Sequence, residues 1–190
     1  VKTLTIATTN PGKIHEVRLA LRDLSGWRID PLPPGIPEIE ESGTTFIENA
    51  TLKATYYSRF VEGLALADDS GLCVKSLGNR PGVWTDRYGP TPESRNQSIL
   101  KELADSPDRE AEFQCAFAVA RSGSIVWTTE AKLDGQITLV AAGEAGFGFD
   151  PIFEVRELRK TLAQMTSEEK NQWSARGKAL NELKRFMSMT

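Results

Sequence analysis

Leu4-Thr5-Ile6-Ala7-Thr8-Thr9-Asn10-Pro11-Gly12-Lys13-Ile14 decides the fold class. Leu4 to Ala7 is a short apolar run of strand character, and Asn10-Pro11-Gly12 ends it. Ile14, Val17, Leu21 and Leu24 then recur at helical spacing, and Gly26 closes the helix. Trp27 to Leu32 follows as a second strand, with a proline-rich loop from Pro33 to Pro37 behind it. Helices interleaved with early strands are the beginning of an α/β sheet.

The same reading extends outward. Thr45-Phe46-Ile47-Glu48 is a capping box, in which the Thr hydroxyl and the Glu carboxylate satisfy open amides of the first turn. It predicts a helix to about Val61, ended before Gly63, and then an apolar strand from Leu64 to Ala67 that stops on Asp68-Asp69-Ser70-Gly71. Phe113, Cys115, Phe117 and Val119 alternate with smaller residues, Ser122-Gly123 is a two-residue turn, and Ile125, Trp127 and Thr129 form the return strand. Gln136 to Ala141 is expected as a third antiparallel neighbour. A short strand near Ile152 to Val155 and a helical C-terminus follow, with a second capping box at Thr166-Ser167-Glu168-Glu169. The expectation is a single domain over residues 1–190 of α/β class. It has a mixed twisted sheet flanked by helices, a central antiparallel ribbon, and two lobes with the active cleft between them.

Composition narrows the chemistry. Among 190 residues, Lys+Arg number 23 and Asp+Glu 26, for a net charge of −3. That balance argues against a nucleic-acid or membrane-surface partner, and positive charge for an anionic substrate must be gathered locally. One histidine, His15, disfavours Ser-His-Asp hydrolysis, Cys-His proteolysis and zinc sites built on paired imidazoles. Its place on the first helix reads as surface. The two cysteines, Cys73 and Cys115, lie in apolar stretches without metal-ligand spacing and read as core. No apolar run approaches the ~18 residues of a membrane span, so a soluble protein of a reducing cytoplasm is expected. Carboxylates, lysine and backbone are left to carry the chemistry.

Three segments have that character. Thr8 to Lys13 join a strand to a helix start, where unpaired amides and the dipole favour phosphate, and Lys13 adds a point charge. An ordinary strand–helix turn with a surface lysine has the same composition. Asp68 and Asp69 abut an apolar strand and suit a hard divalent cation, with a further carboxylate from Glu38, Glu40 or Glu41; a solvated acidic loop is the bland counterpart, the better reading of Glu38 alone. Gly146-Phe147-Gly148-Phe149-Asp150-Pro151 offers aromatic faces for a nucleobase and a carboxylate for its edge, or else a glycine-rich turn with core phenylalanines. Trp84, Tyr88 and Trp173 are isolated aromatics of the kind that usually pack.

In order and spacing these segments resemble the inosine triphosphate pyrophosphatase family. The matching pieces are ATTNPGK at Ala7 to Lys13, EESGTTFIENATLKA at Glu40 to Ala54, LADDSGL at Leu66 to Leu72, and RPGVWTDRYG at Arg80 to Gly89. GFGFDPIF at Gly146 to Phe153 and EEKNQWSARGKAL at Glu168 to Leu180 complete them. The resemblance implies a two-lobed α/β homodimer that needs magnesium, with manganese as substitute, and cleaves ITP, dITP and XTP to monophosphate and pyrophosphate. It implies a triphosphate loop at Thr8, Thr9, Asn10, Pro11, Gly12 and Lys13, a catalytic base and metal ligand at Asp69 supported by Asp68, and a second metal acid at Glu41. It further implies phosphate contacts at Ser70 and Lys53, and base contacts at Phe147, Gly148, Phe149, Asp150, Lys170 and Arg176. The chain departs from the family pattern at Ser174-Ala175-Arg176, where Ser-His-Arg is usual, and at Thr9, often Gly. Two other readings stand beside this one: a septum-inhibitor-type pyrophosphatase acting on pyrimidine or modified nucleotides, and a nucleotide sensor without turnover. The Glu40 to Ala54 segment opposes the first, and the intact acids Glu41, Asp68 and Asp69 oppose the second.

Overall fold

The computed structural model describes residues 1–190, the Asp86 side chain excepted. In chain order the elements are β1 (Lys2–Ile6), α1 (Pro11–Leu21), β2 (Trp27–Pro31), α2 (Phe46–Tyr57), β3 (Leu64–Val74) and β4 (Arg80–Pro81). They continue with α3 (Pro92–Glu102), β5 (Glu110–Arg121), β6 (Ser124–Ile137), β7 (Phe153–Val155), β8 (Lys160–Thr161), α4 (Ser167–Trp173) and α5 (Ala175–Met189). The strands order β2-β1-β3-β5-β6-β7-β8, with β4 on β3. β1 runs parallel to β2 and β3, whereas β3–β4, β6–β7 and β7–β8 are antiparallel, so the sheet is mixed and the α/β expectation holds. Because β1 has a parallel neighbour on either side, the winding reverses there, and the carboxyl end of β1 is where an open α/β sheet places its ligands. Ile6 pairs with Leu66, which sets Asp68 and Asp69 just beyond the paired register.

The chain forms two compact units. One comprises Val1–Asp69, Cys115–Ala131 and Arg176–Thr190, and the other Ser70–Gln114 and Lys132–Ala175. The first unit buries Leu4, Ile6, Leu64 and Leu66 from its strands beneath Val17 and Leu21 of α1, Ala50 and Ala54 of α2, and Leu183 and Met187 of α5. The second is centred on Leu72, Ile99, Leu103, Ile137, Ile152 and Phe153, with the Phe113 and Phe153 rings 4.7 Å apart. Asn10 caps α1, and Pro11 costs nothing there because its missing N–H would have had no partner. Both expected capping boxes form, Thr45 with Glu48 and Thr166 with Glu169, and a third joins Thr91 to Ser94.

Three boundaries and one burial pattern differ from the sequence reading. α2 ends at Tyr57 rather than Val61, because the amides of Ser58, Arg59 and Phe60 tighten back onto Ala54, Tyr56 and Tyr57 carbonyls. β3 does not stop at Asp68 but runs through Asp68-Asp69-Ser70-Gly71 to Val74, since each of the two carboxylates finds a partner on a helix. The third antiparallel neighbour is β7, paired Gln136 to Glu154 and Ile137 to Phe153, and β6 is finished by Ile137. Cys115 to Ala120 are buried on both faces, the alanines lying where polar residues of a half-exposed strand would stand. The Ser122-Gly123 turn is as expected, with φ of 49° and 84°.

Candidate active site

The loop after β1 is closed on itself. Asn10 Oδ1 accepts the amides of Gly12 at 2.9 Å and Lys13 at 3.2 Å, and the Asn10 amide donates to Thr8 Oγ1 at 3.2 Å. Three of the amides expected to cradle phosphate are therefore already hydrogen-bonded within the turn, a correction to the sequence reading. Pro11 has no amide to offer, and Thr9 stands exposed. What the loop contributes without rearrangement is the Lys13 ammonium, aimed by the helix start.

Asp68 receives that ammonium. Lys13 Nζ lies 3.0 Å from Asp68 Oδ2, and Arg176 Nη2 approaches the same oxygen at 3.1 Å. The other arm of Arg176 reaches Glu16 Oε2 at 2.8 Å, so α1, β3 and the first turn of α5 are joined by a chain of buried charges. Burial opposes ionisation of Asp68, but Lys13, Arg176 and Lys53 override it and hold the carboxyl well below the usual carboxylate range. Arg176, expected at the base, is in fact engaged by two carboxylates of the first unit.

Asp69 has a different setting. Successive strand residues face opposite ways, and Asp69 meets α2 where Asp68 meets α1 and α5. Asn49 Nδ2 donates to Asp69 Oδ2 at 2.9 Å, and Lys53 Nζ stands 3.9 Å from Oδ1. Lys53 also holds Glu41 Oε1 at 3.0 Å. Burial pushes the Asp69 carboxyl up, Lys53 and the Asn49 bond only partly counter it, and Glu41 adds to the rise. Lys53 itself, though burial disfavours its charge, is raised by Asp68, Asp69 and Glu41 and stays an ammonium. Glu41 and Asp69 thus converge on one cation from separate segments. Two carboxylates are the donor type a hard divalent cation takes, and no group of three metal-binding side chains occurs among the described residues.

Sequence reasoning passed over Asn49 and Glu16. Both left a signal: Asn49 precedes Lys53 by four residues and Glu16 follows Lys13 by three, the spacings that bring helical side chains to one face.

In the second unit the glycine-rich segment folds around Asp150. Its Oδ2 accepts the Phe147 amide at 2.7 Å and the Lys170 ammonium at 2.6 Å, and Lys170 Nζ sits 4.5 Å from the Phe147 ring centroid. Gly146 is required twice over, by φ of 77° and because a Cβ there would stand 2.1 Å from Asp150 Oδ2. Gly148, at φ 62°, has its carbonyl held by Asn96 Nδ2 at 3.1 Å. Phe147 is half-buried, and Phe149 is only 4% exposed. Ser70 is half-buried on β3, and Ala175 is buried. His15 is exposed, and burial pushes the Cys73 and Cys115 thiols up to about 11 and about 12, as inert core residues require.

The sequence profile of the Ham1 family matches residues 4–186. A dITP/XTP pyrophosphatase of Synechocystis sp. is 44% identical over 182 residues, covering 95% of this chain and 93% of that protein. One of Geobacillus kaustophilus is 44% identical over 190 residues, covering 96% and 93%. The solved structure of a HAM1 protein from Coxiella burnetii superposes with a TM-score of 0.90 at 35% identity, covering 100% of both chains. With matches of this extent in sequence and in fold, the chain belongs to the Ham1 family.

Proposed function

We propose that this protein is a nucleoside triphosphate pyrophosphatase that hydrolyses ITP, dITP and XTP to the monophosphate and pyrophosphate. The observation that carries the reading is the division between neighbouring carboxylates: Asp68 locked as an anion by Lys13 and Arg176, Asp69 raised toward protonation beside Lys53. Environments that push paired acids apart separate a fixed charge from a working base. The names of the Synechocystis and Geobacillus relatives support the substrate class.

In this reading the triphosphate, with about four negative charges, is held mainly by position and charge. Lys13 and Lys53 supply ammonium groups, each already oriented by a carboxylate and so costing little to order. Asp69 takes a proton from the attacking water as its oxygen bonds to the α-phosphorus; the bond to the β-phosphoryl oxygen breaks and pyrophosphate leaves. Glu41 and Asp69 would hold magnesium, which when bound withdraws charge from the phosphate oxygens. Phe147 to Asp150 and Lys170 take the base. The Lys170–Asp150 pair sets a donor beside an acceptor, matching O6 and N1–H of a 6-oxopurine, whereas adenine presents the reverse. A mismatched buried group there costs ~1–3 kcal/mol. Assembly as a homodimer belongs to the same proposal.

The test is pyrophosphate release from ITP, dITP, XTP, ATP, GTP and pyrimidine triphosphates, with magnesium, with manganese and in EDTA. Release from ITP, dITP and XTP in excess of that from ATP and GTP, abolished by EDTA and restored by either ion, is expected. A preference for pyrimidine triphosphates would move the protein to the septum-inhibitor type, and binding without release would make it a sensor.

A further inference from the structure

Asn49 is 2% exposed, and an amide so deep in the protein is costly unless both ends are paired. They are. Oδ1 accepts the Gly43 amide at 2.8 Å, and Nδ2 donates to Asp69 Oδ2 at 2.9 Å. The orientation has no alternative, because turning the amide over would set its oxygen against a carboxylate and its NH2 against an N–H. Asn49 stands in the first turn of α2, whose start is fixed by the Thr45–Glu48 box and by Glu48 accepting the Thr44 amide and hydroxyl. Gly43 is buried, and a Cβ on it would lie 2.6 Å from Asn49 Oδ1 and 2.8 Å from Glu48 Cβ. The glycine is needed there for space, so that the loop amide can reach the asparagine.

We infer that Asn49 is a positioning residue for Asp69: a buried strut from α2 that holds one carboxylate oxygen and ties to it the loop that carries Glu41. With Oδ2 pinned at 2.9 Å by Asn49, Oδ1 faces Lys53, the ammonium that also holds Glu41. One side chain therefore sets the rotation of the proposed base and its distance from the second acid. This inference rests on the pyrophosphatase reading, and it deepens it by adding a residue that acts through Asp69 and does not touch substrate.

The experiment is a double-mutant cycle with ITP and magnesium, using wild type, Asn49→Ala, Asp69→Asn and the double variant, with kcat and KM measured separately. Because the strut orients a group without binding substrate, Asn49→Ala is expected to lower kcat by ~30- to 100-fold and to move KM by less than ~3-fold. In the Asp69→Asn background the same change should cost less than ~3-fold, since the two losses share one route. A spectroscopic readout accompanies it: in the metal-free protein the Asn49 side-chain amide proton exchanges slowly, and its resonance shifts in Asp69→Asn. Equal losses in both backgrounds, a loss confined to KM, or an Asn49 resonance indifferent to Asp69 would each overturn the inference. Should Asn49→Ala not fold, Gly43→Ala disturbs the same bond from the loop side and is put through the same cycle, with non-additive losses supporting the strut and additive losses overturning it. A wild type that releases no pyrophosphate would fail the pyrophosphatase reading itself and take this inference with it, whereas an active wild type with an additive cycle fails the inference alone.

Discussion

Asp68 and Asp69 share a peptide bond, yet the two faces of β3 give them opposite surroundings. Asp68 looks toward α1 and α5, where Lys13 and Arg176 close on one of its oxygens at 3.0 and 3.1 Å. Asp69 looks toward α2, where the Lys53 ammonium stands 3.9 Å away and the neutral Asn49 amide donates at 2.9 Å. Burial raises both carboxyls, but for Asp68 the cations prevail and for Asp69 they do not. Adjacent acids need not share a task. The first is held as an anion between Lys13 and Arg176, and the second, in the reading proposed above, is the one that exchanges a proton.

The largest expected effect comes from breaking the first face. Asp68→Asn would take from Lys13 and Arg176 the carboxylate they share, Arg176 keeping Glu16, at a cost of about 3 kcal/mol, read as the shift of a urea midpoint. Linkage gives the sign against pH. The folded carboxyl is depressed, so its stabilisation is full above the unfolded value near ~3.9 and is lost as pH falls toward the folded one. Asp69, raised by burial, has the opposite sign, and neutralising it should leave stability unchanged or higher. Loss of stability in Asp69→Asn equal to that in Asp68→Asn would erase the distinction.

A second, smaller effect probes the other unit. Gly146→Ala adds a methyl to a backbone at φ 77° and against Asp150 Oδ2, which should cost about 2 kcal/mol in thermal unfolding and narrow the ITP-to-ATP ratio of kcat/KM. A fully stable variant with unchanged selectivity would detach this loop from base recognition. Arg176→Lys keeps the charge but loses the fork that joins Asp68 to Glu16, for about 1 kcal/mol. With the guanidinium held in the first unit, the same ratio should change by less than ~2-fold; a larger change would return Arg176 to the base.

How much of this was legible beforehand follows from how local each determinant is. The first strand and helix, the capping boxes at Thr45 and Thr166 and the turn at Ser122-Gly123 are written in neighbouring residues, and they stand as read. Asp68, Asp69, Lys13, Lys53 and Glu41 stand out in the sequence, and the fold links them by ion pairs. Their partition was not legible, because it depends on which helix covers which face of β3, and Arg176 reaches Asp68 from 108 positions away. The loop amides, closed locally by Asn10, did not disclose themselves for a different reason. A side chain that satisfies its own turn has the same sequence as one that awaits a ligand.

The smallest expected shift is in pH dependence. If Asp69 is the base, the acid limb of kcat/KM lies above the ordinary carboxylate range near ~4, because burial raises that group; a limb well below it would assign the limb to another acid.

The division of labour along β3 is tested most directly by turnover. Pyrophosphate release from ITP with magnesium should fall by at least ~10²-fold in Asp69→Asn while its thermal unfolding stays at or above that of wild type. Near-normal release from a well-folded Asp69→Asn protein would contradict the assignment.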